Sequence, residues 1–409
     1  MRKIKILYIS NVFPRPEQNS TIYTDLAEEL NNSGNEIIVV ASDGDSAYEK
    51  TQLKIERGLK VLRVKTGSMY DVGLIKKGIS VVTLKFHLIS AIKKYLSNEC
   101  FDFILFETPP ITSVDVVKWA MGYFKCPSYL MLKDIFPQNA VDIGLMKEND
   151  IIYKFFKYKE DLLYKTSTVI GCMSEANRQY VLNHNKGLEE QKVRIFPNTK
   201  RINSILSKSD TYEMRKKYNI PLEAVVAVYG GNMGKPQGLD FFMEIIKSNR
   251  DNKNIFFVLV GRGTERNMIN NFLLKEEILN AKLLDSLPRD DYEKLVIESD
   301  IGLIFLNKKF TIPNFPSRVL SYFEYGLPVL AATDKNTDFG EMLVDAQAGY
   351  WSEAGNVEEF NENLSILIND KDKRKIMGLN GQRYLNENYS VAVSVDTLKS
   401  FYNEYSKVY

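Results

Sequence analysis

Three stretches of this sequence place small residues, cations and carboxylates in the order that a phosphate-bearing ligand would need. The first is Tyr229-Gly230-Gly231-Asn232-Met233-Gly234-Lys235-Pro236-Gln237-Gly238-Leu239, between an apolar run and an amphipathic one. The slim backbone at Gly231, Asn232 and Gly234 lets N–H groups come close to a ligand, and a following helix presents its positive end. A plain glycine-rich turn accounts for the same residues. The second, Val260-Gly261-Arg262-Gly263-Thr264-Glu265, lacks the third glycine of the dinucleotide fingerprint. Arg262 could face a ligand there or stand solvated on the surface.

The third stretch, residues 313–330, is the most informative. Pro316-Ser317 opens a helix whose first N–H groups have no intrahelical partner. Arg318 adds a charge-assisted donor suited to a diphosphate. Glu324 stands near the end of that helix, before Gly326 and Pro328 stop it. The helix dipole opposes an acid at a C-terminus, so Glu324 needs another reason to be there. Accepting hydrogen bonds from two ribose hydroxyls would supply one; a simply exposed Glu is the alternative.

In the N-terminal half, Lys133-Asp134 follows the apolar run Tyr129–Leu132, and Glu107 follows Phe103–Phe106. Asp134 at a strand end could orient an acceptor hydroxyl, or it could cap the next helix. Lys133 could hold a departing phosphate. Glu107 is a second acid that could make a carboxylate pair with Asp134.

These residues need elements to hold them. Short β-branched and apolar runs recur at Ile4–Ile9, Ile37–Val40, Val61–Val64, Phe103–Phe106, Tyr129–Leu132, Val169–Cys172 and Val193–Phe196. They resume at Val225–Tyr229, Ile255–Val260, Ala281–Leu284, Ile301–Phe305 and Val329–Ala332. Runs apolar on both faces suit parallel strands covered by helices. Ile22, Leu26 and Leu30 keep helical spacing between the first two. The alternation predicts doubly wound α/β folding. A polar stretch from Pro197 to about Pro221 divides the chain. Residues 1–200 and 201–389 are expected as two Rossmann-like domains facing across a cleft, with a terminal helix in residues 390–409 packing back on the first.

Bulk composition agrees. The 409 residues are too many for one ordinary core. A formal charge of +2 argues against a dedicated nucleic-acid binder. Two histidines and three cysteines without paired spacing leave no metal-ligand motif. The N-terminus reads as a buried strand rather than a signal peptide, and no apolar run reaches the ~18 residues of a span. A cytoplasmic location is expected.

Taken in order, Phe13-Pro14-Arg15-Pro16, Glu107-Thr108-Pro109-Pro110, Lys133-Asp134-Ile135-Phe136-Pro137-Gln138, Phe196-Pro197-Asn198-Thr199, the 231–239 loop and Pro316-Ser317-Arg318 with Glu324-Tyr325-Gly326-Leu327-Pro328-Val329 resemble a known family. The chain looks like a retaining GT-B glycosyltransferase of family 4, nearest the bacterial fucosamine-transferase-like enzymes of surface-polysaccharide assembly. The resemblance implies a first domain for the acceptor and a second for a nucleotide-diphosphate sugar, UDP-linked by default. It places the donor ribose on Glu324 and the diphosphate on basic groups of the second domain. It implies metal-independent transfer without a cofactor, fixed donors neutralising the leaving group. Three positions depart from the family pattern. Pro316 stands where the first of two paired glutamates is usual. Lys133 stands where His or Arg precedes the aspartate. Gln18-Asn19-Ser20 replaces a Gly-Gly in the first loop, so phosphate approach is not expected from it.

Residues 69–96 mix apolar residues with Lys76, Lys77, Lys85, Lys93 and Lys94, and Tyr153–Lys159 interleaves aromatic residues with lysines. Either could lie on anionic headgroups at the inner face of the plasma membrane or pack as an ordinary helix. Relatives that use lipid-linked acceptors favour the first. Two rivals remain: a GT-B sugar-nucleotide epimerase, poorly supplied with histidine here, and a non-catalytic partner subunit of the same fold.

Overall fold

The computed structural model describes residues 3–11, 13–18, 20–44, 50–67, 74–202 and 212–406, with side chains of the 74–96 helix from residue 83 on. Asn19, the start of the 69–96 lysine-rich stretch and residues 203–211 of the connection lie outside the described residues. The chain divides into two units: residues 1–201 with 391–409, and residues 202–390.

The first unit is built on an eight-stranded sheet of order β3-β4-β2-β1-β5-β6-β7-β8. Its strands are β1 (Lys5–Ser10), β2 (Glu36–Asp43), β3 (Gln52–Glu56), β4 (Leu59–Lys65), β5 (Phe103–Glu107), β6 (Ser128–Leu132), β7 (Val169–Cys172) and β8 (Val193–Ile195). All neighbours are parallel except β3 and β4. β5 and β6 are buried throughout, as both-face apolar runs require. Thr21 opens the helix Ile22–Asn32 with a capping box to Thr24. Leu26 and Leu30 of that helix are buried, together with Val391, Val395, Leu398 and Phe401 of the terminal helix Val391–Tyr405. The Phe401 ring meets Phe103 and Tyr129 edge-on, at 5.5 and 5.1 Å.

The second unit holds a six-stranded, all-parallel sheet of order β11-β10-β9-β12-β13-β14. Its strands are β9 (Val225–Gly230), β10 (Ile255–Val260), β11 (Ala281–Leu284), β12 (Ile301–Phe305), β13 (Val329–Thr333) and β14 (Gly349–Glu353).

Two strands were not expected from the pattern, and each has a local reason. β3 is an edge strand whose Ile55 is 71% exposed, so its apolar residues do not mark a core. It exists because Arg57 and Gly58, both at positive φ, turn it back onto β4. β14 starts at Gly349, where a Cβ would come within 1.9 Å of the Val329 carbonyl oxygen. One helix also differs: it spans Val319–Glu324 rather than opening at Pro316. Pro316 and Ser317 instead accept turn hydrogen bonds from the Val319 and Leu320 N–H groups, at 3.3 and 3.1 Å.

Candidate functional site

Each sheet has one place where strand order reverses, and in open α/β sheets ligands bind beyond the strand C-termini there. In the second unit it lies between β9 and β12, which pair only at Ile301↔Ala227 and Gly302↔Val228. Tyr322, from the helix Val319–Glu324, fills the widening gap. Its hydroxyl lies 3.2 Å from the Gly230 N–H and 3.2 and 3.3 Å from the Val228 and Leu303 carbonyls. Gly302 leaves room for its ring.

Arg318 comes to the same strand ends. Its guanidinium lies 4.6 Å from the centre of the Tyr229 ring and donates through Nη2 to Gln237 Oε1 at 2.5 Å. Gly231, at φ +129°, lies beside it: a Cβ there would sit 3.6 Å from the guanidinium carbon, an ordinary contact, so the backbone conformation rather than space favours glycine. Among the described residues no carboxylate pairs with Arg318, and its buried Nη1 has no hydrogen-bond partner. A buried cationic donor left open is costly. An anion placed there would complete it.

The glycine-rich loops prove to be partly each other's partners. Gly231 N–H donates to Val260 O at 2.9 Å and Met233 N–H to Arg262 O at 2.8 Å. A Cβ on Gly261 or Gly263 would come within 1.9 or 2.2 Å of the Gly231 or Met233 carbonyl oxygen. Those glycines therefore allow loop-on-loop packing, and the Gly231 N–H is not offered to a ligand. Asn232 is exposed and its carbonyl accepts from the Tyr229 hydroxyl at 2.6 Å. Gly234 is buried at the start of the turn Lys235–Gln237, and the Arg262 side chain is exposed. Pro316 is half-buried, Ser317 exposed. Glu324 ends its helix at 3% exposure, which removes its reading as a surface Glu.

In the first unit the reversal lies between β1 and β5. Glu107 closes it: Oε1 accepts from Ser10 Oγ at 2.8 Å and from the Asn11 N–H at 2.9 Å. Burial pushes its carboxyl up to about 7, against those hydrogen bonds. Glu107 is fully buried and clamps the strands through Oε1, while its buried Oε2 has no hydrogen-bond partner. Asp134 follows β6 and accepts from Asn139 Nδ2 at 2.7 Å on both oxygens. Desolvation raises it to about 6, with Asn139 opposing. It does not cap the following helix Gln138–Asp142, whose N-cap is Pro137. Asp134 and Glu107 share no hydrogen bond. Lys133 points elsewhere: Nζ donates to the Phe196 and Pro197 carbonyls at 3.3 and 3.4 Å and lies 5.1 Å from the Phe196 ring. Burial lowers it to about 7. Its present role is to tie β6 to the chain after β8.

The sequence reading missed the roles of Tyr322, Gln237 and Ser10 because their partners lie far along the chain; it missed that of Asn139 although Asp134 is only five residues away. It also missed three arginines that hold the first loop. Arg63 donates to the Phe13 and Pro14 carbonyls at 2.6 and 3.1 Å, Arg57 to those of Arg15 and Gln18 at 3.0 and 2.9 Å, and Arg15 pairs with Asp43 at 2.7 Å. Pro14 and Pro16 have no N–H, and those of Arg15 and Gln18 are spent inside the loop.

Residues 210–384, within the second unit, match the family model "Glycosyl transferases group 1", and the fold of the chain is that of the GT-B glycosyltransferases. Among curated proteins the chain is 21% identical over 309 residues to WbjE of Pseudomonas aeruginosa, described as a probable glycosyltransferase, with 72% of each chain covered. WcaI of Escherichia coli K12, whose name assigns it to colanic acid biosynthesis, is 21% identical over 38% of this chain and 39% of its own. Among solved structures, sucrose-phosphate synthase from Thermosynechococcus elongatus superposes with a TM-score of 0.79 at 12% identity, covering 100% of both chains. HepE of Anabaena, in complex with UDP and glucose, gives 0.70 at 15% identity, covering 98% of this chain and 100% of its own.

Proposed function

We propose that this protein moves a hexose-type sugar from a nucleotide-diphosphate donor, UDP-linked by default, to a hydroxyl of a lipid-linked or saccharide acceptor, with retention at the anomeric carbon. The observation that carries the reading is the open, buried Arg318 donor beside Gly231 at the strand ends of the second unit. A diphosphate is the chemistry that completes it. HepE, crystallised with UDP and glucose, supports a uridine nucleotide. The name of WcaI, which assigns it to colanic acid biosynthesis, supports a place in bacterial surface-polysaccharide, or capsule, synthesis, in keeping with the family 4, fucosamine-transferase-like reading.

In this reading the second unit takes the donor: Arg318, with Pro316, Ser317 and the Gly231-Asn232-Gly234 loop around it, holds the diphosphate, and Glu324 the ribose. Arg262 flanks the same loop. The first unit takes the acceptor, and Asp134 orients its hydroxyl. The acceptor oxygen bonds to the anomeric carbon, the nucleoside diphosphate leaves with the electron pair of the broken bond, and the hydroxyl proton passes to the Asp134 carboxylate. Arg318 neutralises the leaving group, so the reading needs no divalent ion or cofactor. The test is transfer from labelled UDP-sugars to a lipid extract in EDTA, with the product's anomeric configuration read by NMR. Retained configuration and undiminished turnover are expected; inverted product, or activity abolished by EDTA and restored by magnesium, would refute the corresponding part.

A lipid-linked acceptor would bring the chain to the inner face of the plasma membrane as a peripheral protein. Among the described residues no helix is long and apolar enough to cross a membrane. The helix Ile151–Thr166 instead exposes Ile151 (87%), Ile152 (55%), Phe155 and Tyr158 (62%), beside the exposed Lys154. Lys93 over Trp119 and Lys85 over Phe86 repeat the pairing on neighbouring helices. Rings and lysines so placed suit anionic headgroups. Sedimentation with phosphatidylglycerol vesicles should carry the protein down at low salt, less so at high salt, and less for Phe155→Ala/Tyr158→Ala. Equal binding to neutral vesicles, or none to anionic ones, would count against the contact.

A further inference from the structure

One carboxylate serves both the first loop and the junction between the units. Glu28, on the helix Ile22–Asn32, lies 3.4 Å through Oε1 from Arg57 Nη1 and 2.6 Å through Oε2 from Arg201 Nη1. Arg57, in the left-handed turn between β3 and β4, holds the carbonyls of Arg15 and Gln18 through Nη2 and reaches Ser20 Oγ at 3.3 Å. Arg201 is the last residue of the first unit before the chain leaves it. Its N–H donates to Asp25 Oδ2 at 3.1 Å, and its Nη2 lies 3.7 Å from Glu29. The returning chain is stitched to the same place: Val391 N–H donates to Lys200 O at 2.9 Å, and the Thr199 and Ser394 hydroxyls meet at 2.7 Å.

We propose that Glu28 is a positioning residue that ties the shape of the first loop to the junction, so that loosening either end loosens the other. The physical basis is geometric. A guanidinium fork fixes direction as well as distance, and a carboxylate bridging two forks cannot shift toward one without leaving the other. Besides the turn bonds between Arg15 and Gln18, the loop is held through the Phe13, Pro14, Arg15 and Gln18 carbonyls, which accept from Arg63 and Arg57. Glu28 touches no reacting atom; it acts through Arg57 on the loop and through Arg201 on the junction. The functional side of the proposal rests on the reading that the first unit takes the acceptor.

The test is hydrogen exchange on the full chain, with the Gln18 amide reporting the loop and the Arg201 and Val391 amides the junction. Arg57→Ala should speed exchange at Arg201 and Val391 about threefold or more, and Arg201→Ala should do the same at Gln18, the size expected of coupled neighbours. Glu28→Gln should speed both, and in that background neither arginine substitution should act on the far end. Leu105 in β5 is the control for global destabilisation; if Glu28→Gln loosens it too, Glu28→Asp, which keeps the charge but cannot span both partners, replaces it. Effects confined to the substituted end overturn the proposal. With a prenyl-diphosphate-linked monosaccharide in detergent as probe acceptor, Arg57→Ala should raise the acceptor KM about tenfold and leave the donor KM unchanged. A donor KM that rises equally also overturns it. Wild-type protein that transfers nothing refutes the transferase reading instead, and the exchange rates still decide the coupling.

Discussion

Arg318→Met is expected to weaken UDP binding about 100-fold while leaving the melting temperature unchanged or higher. The two effects have one cause. In the absence of ligand the guanidinium is held by Gln237 and the Tyr229 ring, with Nη1 buried and open. A charge left in that state stabilises little, and replacing a poorly compensated buried cation by an apolar chain is often neutral or stabilising. Against a diphosphate the same atom makes a charge-assisted hydrogen bond of about 1.5–3 kcal/mol, and losing one bond near the top of that range gives about 100-fold. Arg318→Lys keeps the charge but not the fork, so a loss of about tenfold is expected. Calorimetric titration with UDP measures the affinity and a thermal melt the stability. A variant that melts early yet binds UDP normally would show that Arg318 is a structural group.

Asp134→Asn is expected to lower kcat by about 100- to 10,000-fold, the range for a positioned proton acceptor, with UDP binding unchanged. Its pH behaviour gives a second readout. The Asp134 carboxyl is raised to about 6 by desolvation, so activity that needs the carboxylate should fall as pH drops through about 6. The sign for stability is opposite. Between its ordinary value of 3.8 and about 6 the folded state binds more protons than the unfolded, so this group's contribution to stability falls as pH rises through that window. Asp134→Asn should therefore melt no earlier than wild type at neutral pH while losing turnover. Loss of both together would mark Asp134 as a fold residue tethered to Asn139 and nothing more.

These expectations draw on a sequence that shows its strands more openly than its contacts. Val169–Cys172, Ile255–Val260 and Ile301–Phe305 lie where the apolar runs end, because polar residues bound each run and both faces are covered; Ala281–Leu284 keeps the bounds of its run at the sheet edge, with only Leu284 buried. β3 was invisible because Leu53 and Ile55 face solvent at a sheet edge and its register is made by the Arg57-Gly58 turn. Arg318 and Glu324 could be read from their place after Pro316-Ser317 and before Gly326. The seat that holds Arg318 could not, because Tyr229 and Gln237 reach it from another element. Lys133 shows the limit of adjacency. It precedes Asp134 in sequence, but it turns to the Phe196 and Pro197 carbonyls while Asp134 turns to Asn139. The glycines at 261 and 263 carried a phosphate-loop signal that packing against Gly231 and Met233 explains. The arginine clamp on the first loop joins residues too far apart in sequence for any local pattern to reveal it.

The central claim is that the second unit binds a sugar nucleotide and the chain transfers its sugar. The measurement closest to it is a melting-temperature screen of wild type and Glu324→Ala against a panel of UDP-, GDP- and dTDP-sugars, with each hit incubated with and without lipid extract. Because a ligand of the native state raises apparent stability by mass action, at least one sugar nucleotide should raise the wild-type melting temperature. Glu324→Ala should lose that shift, and the nucleoside diphosphate should be released in step with glycosylated lipid. A panel that shifts nothing, or a hit converted to free or epimerised sugar without any acceptor, would contradict it.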